Sequence, residues 1–189
     1  EFMEDMEVRD ILFPILKDKA SEKILRLMHQ TGILEKILPE FGLAHCKVNH
    51  DLYHHYTADE HSLRVIRFLD ELANSSLTNP TDLSALYRGY SGKEILKFSA
   101  LLQSVRKISH DETKHHKFLQ ALTKRLGLNE TDAKTLQFLL DNPYTLIETA
   151  LHQDIHQPAV IRQFASTVES LEWLQGLYLL SYAELRAVA

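Results

Sequence analysis

The 189 residues suit a single domain, or one domain with a small extra lobe, and 44% apolar residues are enough to fill a sizeable core. A net charge of −5 with no long basic run excludes a nucleic-acid backbone as the main partner, and no apolar run approaches the roughly 20 residues of a membrane span. One cysteine, Cys46, excludes an internal disulfide and fits a reducing cytosol, so a cytoplasmic location is expected.

Only six glycines and five prolines interrupt a Leu-rich chain with little strand-like alternation, which predicts a nearly all-helical protein. Apolar residues at Val8, Ile11, Leu12, Ile15 and Leu16 predict a helix over Val8–Lys17, with Pro14 kinking it or marking its start. Ala20–Gln30 repeats the pattern and meets a stop at Gly32; Ile33–Leu38 is a short helix ending at Pro39. The segment from Gly42 to Tyr56 holds His45, His50, His54 and His55 and has no clear period.

Thr57-Ala-Asp-Glu60 has the spacing of a capping box, opening a helix whose stripe is Leu63, Val65, Ile66, Phe68, Leu69 and Leu72. His61 lies four residues before Val65 and seven before Phe68, so it faces the core with them. Asn74–Asn79 and Pro80 form a polar loop, and Asp82–Arg88 is a short helix. Ser91-Gly-Lys-Glu94 has the same box spacing and opens a helix through about Lys107, apolar on two stripes and therefore central.

A polar stretch with His110, His115 and His116 leads into a helix that stops at Gly127; Asn129 caps the next, which runs to Asn142 before Pro143. Thr145–His152 is short, Pro158 opens Pro158–Val168, and the last helix, Leu171–Ala187, is apolar on most sides.

The scattered glycines exclude a phosphate-binding loop, and the single cysteine excludes a thiolate zinc site. Histidine and carboxylate remain as ligands, and eleven histidines make a metal site worth testing. Asp111 with His115, and Glu112 with His116, stand four apart; such pairs hold adventitious metal or simply start a solvated helix.

Three blocks carry a resemblance: Leu25-Arg-Leu-Met-His-Gln-Thr-Gly-Ile-Leu34, Leu38-Pro-Glu-Phe41, and His50-Asp-Leu-Tyr-His-His-Tyr-Thr-Ala-Asp-Glu-His61. With Glu148-Thr-Ala150, Asp154-Ile155, Val160-Ile-Arg-Gln-Phe-Ala165 and the run from Leu177 to Ala187, they resemble the middle domain of the bacterial protein-PII uridylyltransferase/uridylyl-removing enzymes. The match runs in order from about Ser21 to Ala187. It implies an all-α, HD-domain-like helical bundle lying between a nucleotidyltransferase domain and ACT domains, with metal-dependent removal of uridylyl groups from PII. Glu1-Phe2-Met3 has the look of a cloning remnant, so residues 1–20 are expected to be tag-derived residues and a lead-in helix, and 21–189 the domain, cut from a longer protein.

The resemblance also implies a ligand set, and here the chain departs from it. His61 matches the first ligand, but the His-Asp pair falls on Gln103-Ser104, followed by a retained Lys107. The later His pair falls on Asn142-Pro143, and the late Asp on Glu184, two residues before a retained Arg186. His116 answers a remaining His only loosely. His50, Asp51 and His54 belong to the family's signature rather than to its ligands.

Gln and Ser are neutral, and Gln binds divalent ions weakly. The implied pocket is therefore vestigial: no metal is expected, His61 is a residual candidate, and Gln103-Ser104 is a polar plug that satisfies His61. Glu184 is expected as an ordinary, partly exposed helix carboxylate, with a pairing to Arg186 or His61 as the alternative. Such a domain would serve as a structural or regulatory module, with a PII-like protein or the neighbouring transferase and ACT domains as partners. The alternative is a phosphodiesterase with manganese or magnesium held in a rearranged His/carboxylate site.

Overall fold

Apolar residues three and four apart along most of the chain leave helices as the elements that can bury them, and helices are what form. The structure, a computed structural model, describes residues 5–42, 56–75, 83–106 and 112–188. Among them are twelve helices and no strand: α1 (Asp5–Lys17), α2 (Ser21–Gln30), α3 (Ile33–Ile37), α4 (Pro39–Gly42), α5 (Ala58–Asn74), α6 (Leu83–Gly89), α7 (Lys93–Arg106), α8 (Glu112–Arg125), α9 (Glu130–Asp141), α10 (Thr145–His152), α11 (Pro158–Val168) and α12 (Leu171–Val188). The all-α class expected from the sequence is the class observed. Among the described residues no helix is long and apolar enough to cross a membrane.

α5 and α7 form the centre. α5 packs on α2, α6, α7 and α12, while α7 also meets α1, α4 and α9. The predicted α5 stripe of Leu63, Val65, Ile66, Phe68, Leu69 and Leu72 is buried, as are Ile95, Phe98, Leu102 and Val105 of α7. At about 2 kcal/mol per fully buried large aliphatic side chain, these two stripes carry much of the drive to fold. α1 adds Val8, Leu12 and Leu16 to the same core, and Phe13 packs on Phe98 with ring centroids 5.6 Å apart. α11 stays on the outside, with Val168 its one buried residue.

Several helix ends follow the sequence. Gly32 and Gly127 take positive φ of 70° and 57°, a conformation that favours glycine, after α2 and α8. The Asn129 side chain accepts from the Asp132 N–H at 2.8 Å, and Pro158 stands in the first turn of α11.

Other ends differ. Pro14 lies inside α1 and does not start it; the helix runs from Asp5 to Lys17, held by buried Leu12 and Leu16 on either side. Thr57 is the N-cap of α5, yet its side chain makes no capping bond. Glu60, the expected reciprocal partner, is taken by Arg26, whose guanidinium donates to both carboxylate oxygens at 2.6 and 3.0 Å. A bidentate charged pair is stronger than a back-bond to one amide. The second box also fails, because Ser91 stands one residue too early. Gly92 supplies the first carbonyl of α7, accepting from Leu96 at 2.9 Å, and Ser91 Oγ donates to Glu172 on α12 at 2.8 Å.

A polar knot fixes the α1–α2 turn to the centre. Lys97 of α7 has no exposure; its Nζ lies 2.6 Å from Asp70 Oδ1 of α5 and donates to Ser21 Oγ at 2.6 Å and to the Asp18 carbonyl at 2.7 Å. Asp70 Oδ2 accepts from the Glu22 N–H at 2.8 Å, so a carboxylate from α5 caps α2, whose own N-cap residue, Ala20, offers no side-chain bond. Burial pushes the Asp70 carboxyl up and the Lys97 amine down, and the opposite charge of each partner works against both shifts.

Removing one partner leaves the other buried and unpaired. Asp70→Asn is expected to lower stability by about 3 kcal/mol, whereas the double change Asp70→Leu with Lys97→Met should cost much less. Urea unfolding of the two variants checks this; equal losses would contradict the role assigned to the pair.

Candidate functional site

The described residues that the resemblance assigns to the ligand set stand on α5, α7 and α12 and at the end of α9, helices that pack on one another. His61 stands in the first turn of α5 because the stripe behind it faces the core, and it is 4% exposed. Glu184, in the second-last turn of α12 near buried Leu180 and Ala183, is 3% exposed. Across 123 positions of sequence the two meet: His61 Nε2 lies 2.7 Å from Glu184 Oε2. With the imidazole proton on Nε2, the carboxylate accepts it in a charge-assisted bond.

Gln103 is 1% exposed, and its Nε2 donates to the Leu139 carbonyl at 3.3 Å. That carbonyl is in the last turn of α9, where backbone acceptors lack helical partners. Glu184 takes the His61 Nε2 and the Gln103 amide nitrogen serves a helix end, while Ser104, the other half of the plug expected to satisfy His61, has its side chain outside the described residues.

Asn142 likewise has a backbone task. It is the C-cap of α9, with its Nδ2 donating to Phe138 O at 3.0 Å and its Oδ1 accepting from Thr145 Oγ1 of α10 at 3.2 Å. Arg186 is exposed on α12, and its guanidinium carbon lies 5.0 Å from the Phe68 ring centroid and 6.0 Å from that of Tyr182. Glu184 is buried, not the partly exposed carboxylate expected, and of its two alternative partners it is His61 that takes the short bond.

A second cluster forms where α8 meets the end of α9. His115 Nε2 is 3.5 Å from Asp141 Oδ1, and His116 Nε2 is 3.3 Å from Asp141 Oδ2. The two histidines were singled out in the sequence with Asp111 and Glu112 as companions, while Asp141 was missed. Its signal was slight: a carboxylate at the C-terminal end of a helix, unfavourable against the macrodipole unless cationic or hydrogen-bonding groups face it. Ser104 and Glu112 fall within α7 and α8, but their side chains lie outside the described residues. So do Lys107, His110, Asp111, His45, Cys46, His50, Asp51, His54 and His55.

The donor set tests the implied metal. At the described positions aligned with ligands stand one imidazole, one carboxylate and two neutral amides, and each amide is committed to a helix-terminal carbonyl. Three strong protein donors are usual for a catalytic zinc-type site, and among the described residues no group of three or more His, Cys, Asp and Glu is placed to hold an ion. These residues do not fit the group.

No family model matches the chain. Curated relatives do. The chain is 34% identical over 173 residues to the bifunctional uridylyltransferase/uridylyl-removing enzyme of Thiobacillus denitrificans, covering 88% of this chain and 20% of that protein. Proteins of the same name from Zymomonas mobilis and Bradyrhizobium sp. (strain ORS 278) are 32% and 29% identical over 169 and 193 residues, covering 87% and 100% of this chain. Of those two proteins' own lengths the chain covers 18% and 21%, so it spans about a fifth of the relatives it matches.

Breaking the buried pair should be felt in stability. Glu184→Leu removes the acceptor of His61 Nε2 and is expected to cost about 2 kcal/mol in chemical denaturation, more than Arg186→Leu on the exposed side of the same helix.

Proposed function

We propose that this chain, a counterpart of one segment of the bifunctional uridylyltransferase/uridylyl-removing enzymes, is a degenerate HD-type domain. It has exchanged a metal centre for internal hydrogen bonds and serves as a structural or regulatory module in nitrogen-type signalling. The observation that carries the reading is the His61–Glu184 pair, 2.7 Å apart and almost without exposure. The Nε2 and Oε2 atoms that would ligate an ion are the atoms that hydrogen-bond to each other.

The neutral residues support the same reading. An ion bridging several ligands needs anionic donors to offset its charge, and Gln103 and Asn142 supply none. What the positions supply is structural: Gln103 ties α7 to α9, Asn142 ties α9 to α10, and the His61–Glu184 pair ties α5 to α12. A rigid bundle of this kind is suited to hold neighbouring domains in register or to dock a protein partner. A PII-like protein, or nucleotidyltransferase and ACT segments of a longer chain, are the partners the resemblance supplies.

The hydrolytic reading, a manganese- or magnesium-dependent phosphodiesterase, has one observation in its favour: His115 and His116 converge on Asp141. Their distances to the two carboxylate oxygens are longer than the His61–Glu184 bond, and two histidines on one carboxylate form an ordinary paired cluster.

Metal content after purification, with bis(p-nitrophenyl) phosphate turnover in added manganese, separates the readings. The degenerate domain is expected to hold well under one equivalent and to show no turnover above background. Stoichiometric metal, with activity abolished by His61→Ala or Asp141→Asn, would sink it. Conversely, the double change Gln103→His with Ser104→Asp should introduce manganese binding, measurable by calorimetry, that the parent chain lacks.

A further inference from the structure

At the other end of α5 from His61, about 18 Å along the helix at 1.5 Å per residue, Ala73 forms part of a cavity of about 250 Å³. Its walls come from the α1–α2 turn and from the corner between α6 and α7. Lys17, Lys19, Arg88 and Lys93 line it, with Tyr87 as the aromatic wall and Asp18 as the one carboxylate. Such a concentration of cations is notable in a chain with 26 acidic and 21 basic residues.

The walls are held in place by bonds, and the cations line a cavity open to solvent, with Lys17, Lys19 and Arg88 exposed. The Asp18 carbonyl is fixed from behind by buried Lys97 at 2.7 Å, and Asp18 Oδ1 accepts from the Ala20 N–H at 2.7 Å, which commits the lone carboxylate to the turn. Lys93 Nζ donates to the carbonyls of Arg88, at 3.0 Å, and of Tyr90, and stands 5.8 Å from the Tyr87 ring centroid. Arg88 Nη1 donates to the Ser75 carbonyl at 3.1 Å, which orients its guanidinium beside the cavity. Burial lowers the Lys93 amine; Glu94 opposes that, and the charge of Lys17 lowers it further, so two lining cations already repel each other.

We propose that this cavity is a binding site for a small, multiply charged phosphate compound of about the size of pyrophosphate. The site is independent of the vestigial pocket. The ammonium groups of Lys17 and Lys19 and the Arg88 guanidinium match the several acceptor oxygens of such an anion, and the anion relieves the repulsion among the lining cations. The volume lies just under the range typical of pockets for drug-sized ligands, which favours a compact anion over a whole nucleotide.

Calorimetric titration of the chain with sodium pyrophosphate, inorganic phosphate and citrate at low ionic strength tests the assignment. Pyrophosphate is expected to bind, with phosphate weaker and citrate weakest, and added salt should loosen all three. Lys17→Gln and Arg88→Gln should each weaken pyrophosphate about tenfold, one charge-assisted contact's worth, while His61→Ala leaves binding unchanged. Lys19→Gln, at an exposed side chain, gives an independent change in the same direction. No binding, binding that survives the Lys17→Gln/Arg88→Gln double change, or citrate as tight as pyrophosphate overturns the proposal.

Discussion

Lys97 and Asp70 lie 2.6 Å apart inside the bundle, and most of the N-terminal half is arranged around them. The carboxylate serves α2 as its cap, the ammonium holds the carbonyl of the preceding turn, and Ser21 joins both. Two charges taken out of water are costly, and their mutual attraction offsets that cost only when the remaining donors and acceptors are filled. Here they are filled by backbone groups of a helix start. The pair therefore specifies where α2 begins and how the α1–α2 turn sits on α5 and α7, something an apolar contact of similar volume would leave loosely determined.

The same logic governs the region where the resemblance implies an ion. A divalent cation and a set of internal hydrogen bonds are two ways of satisfying convergent polar groups between four helices. In the proposed reading this chain uses the second. His61 and Glu184 meet directly, the Gln103 amide reaches the Leu139 carbonyl, and the Asn142 amide adds a second bond to the Phe138 carbonyl, which already accepts the Asn142 N–H. At these two amide positions, bonds to the backbone of α9 join the helices where the resemblance implies ligands.

Much of this was written in local sequence. Asn129, Pro143 and Pro158 set the bounds of α9, α10 and α11 because caps and prolines act within a turn of where they stand. The burial of His61 followed from its spacing to Val65 and Phe68. What failed was chemistry whose partner lies far away. The box at Thr57 has the right residues, but Arg26 competes for Glu60 from another helix. Lys97 sits in an apolar helix as one more charged residue, and nothing local says that it will be sealed against Asp70. Asp141 became relevant only when α8 laid two histidines against it. Glu184 could be matched to the implied pocket only through the resemblance.

The 123 positions between His61 and Glu184 have a temporal meaning. During synthesis α5 emerges well before α12, so the imidazole waits with its eventual acceptor not yet made. Non-local closures of this kind come late, after loop entropy has been overcome by nearer contacts. The helices around Lys97 involve residues 18–97 and can assemble first. The His61–Glu184 junction then closes after them, as a latch on the bundle that waits for α12.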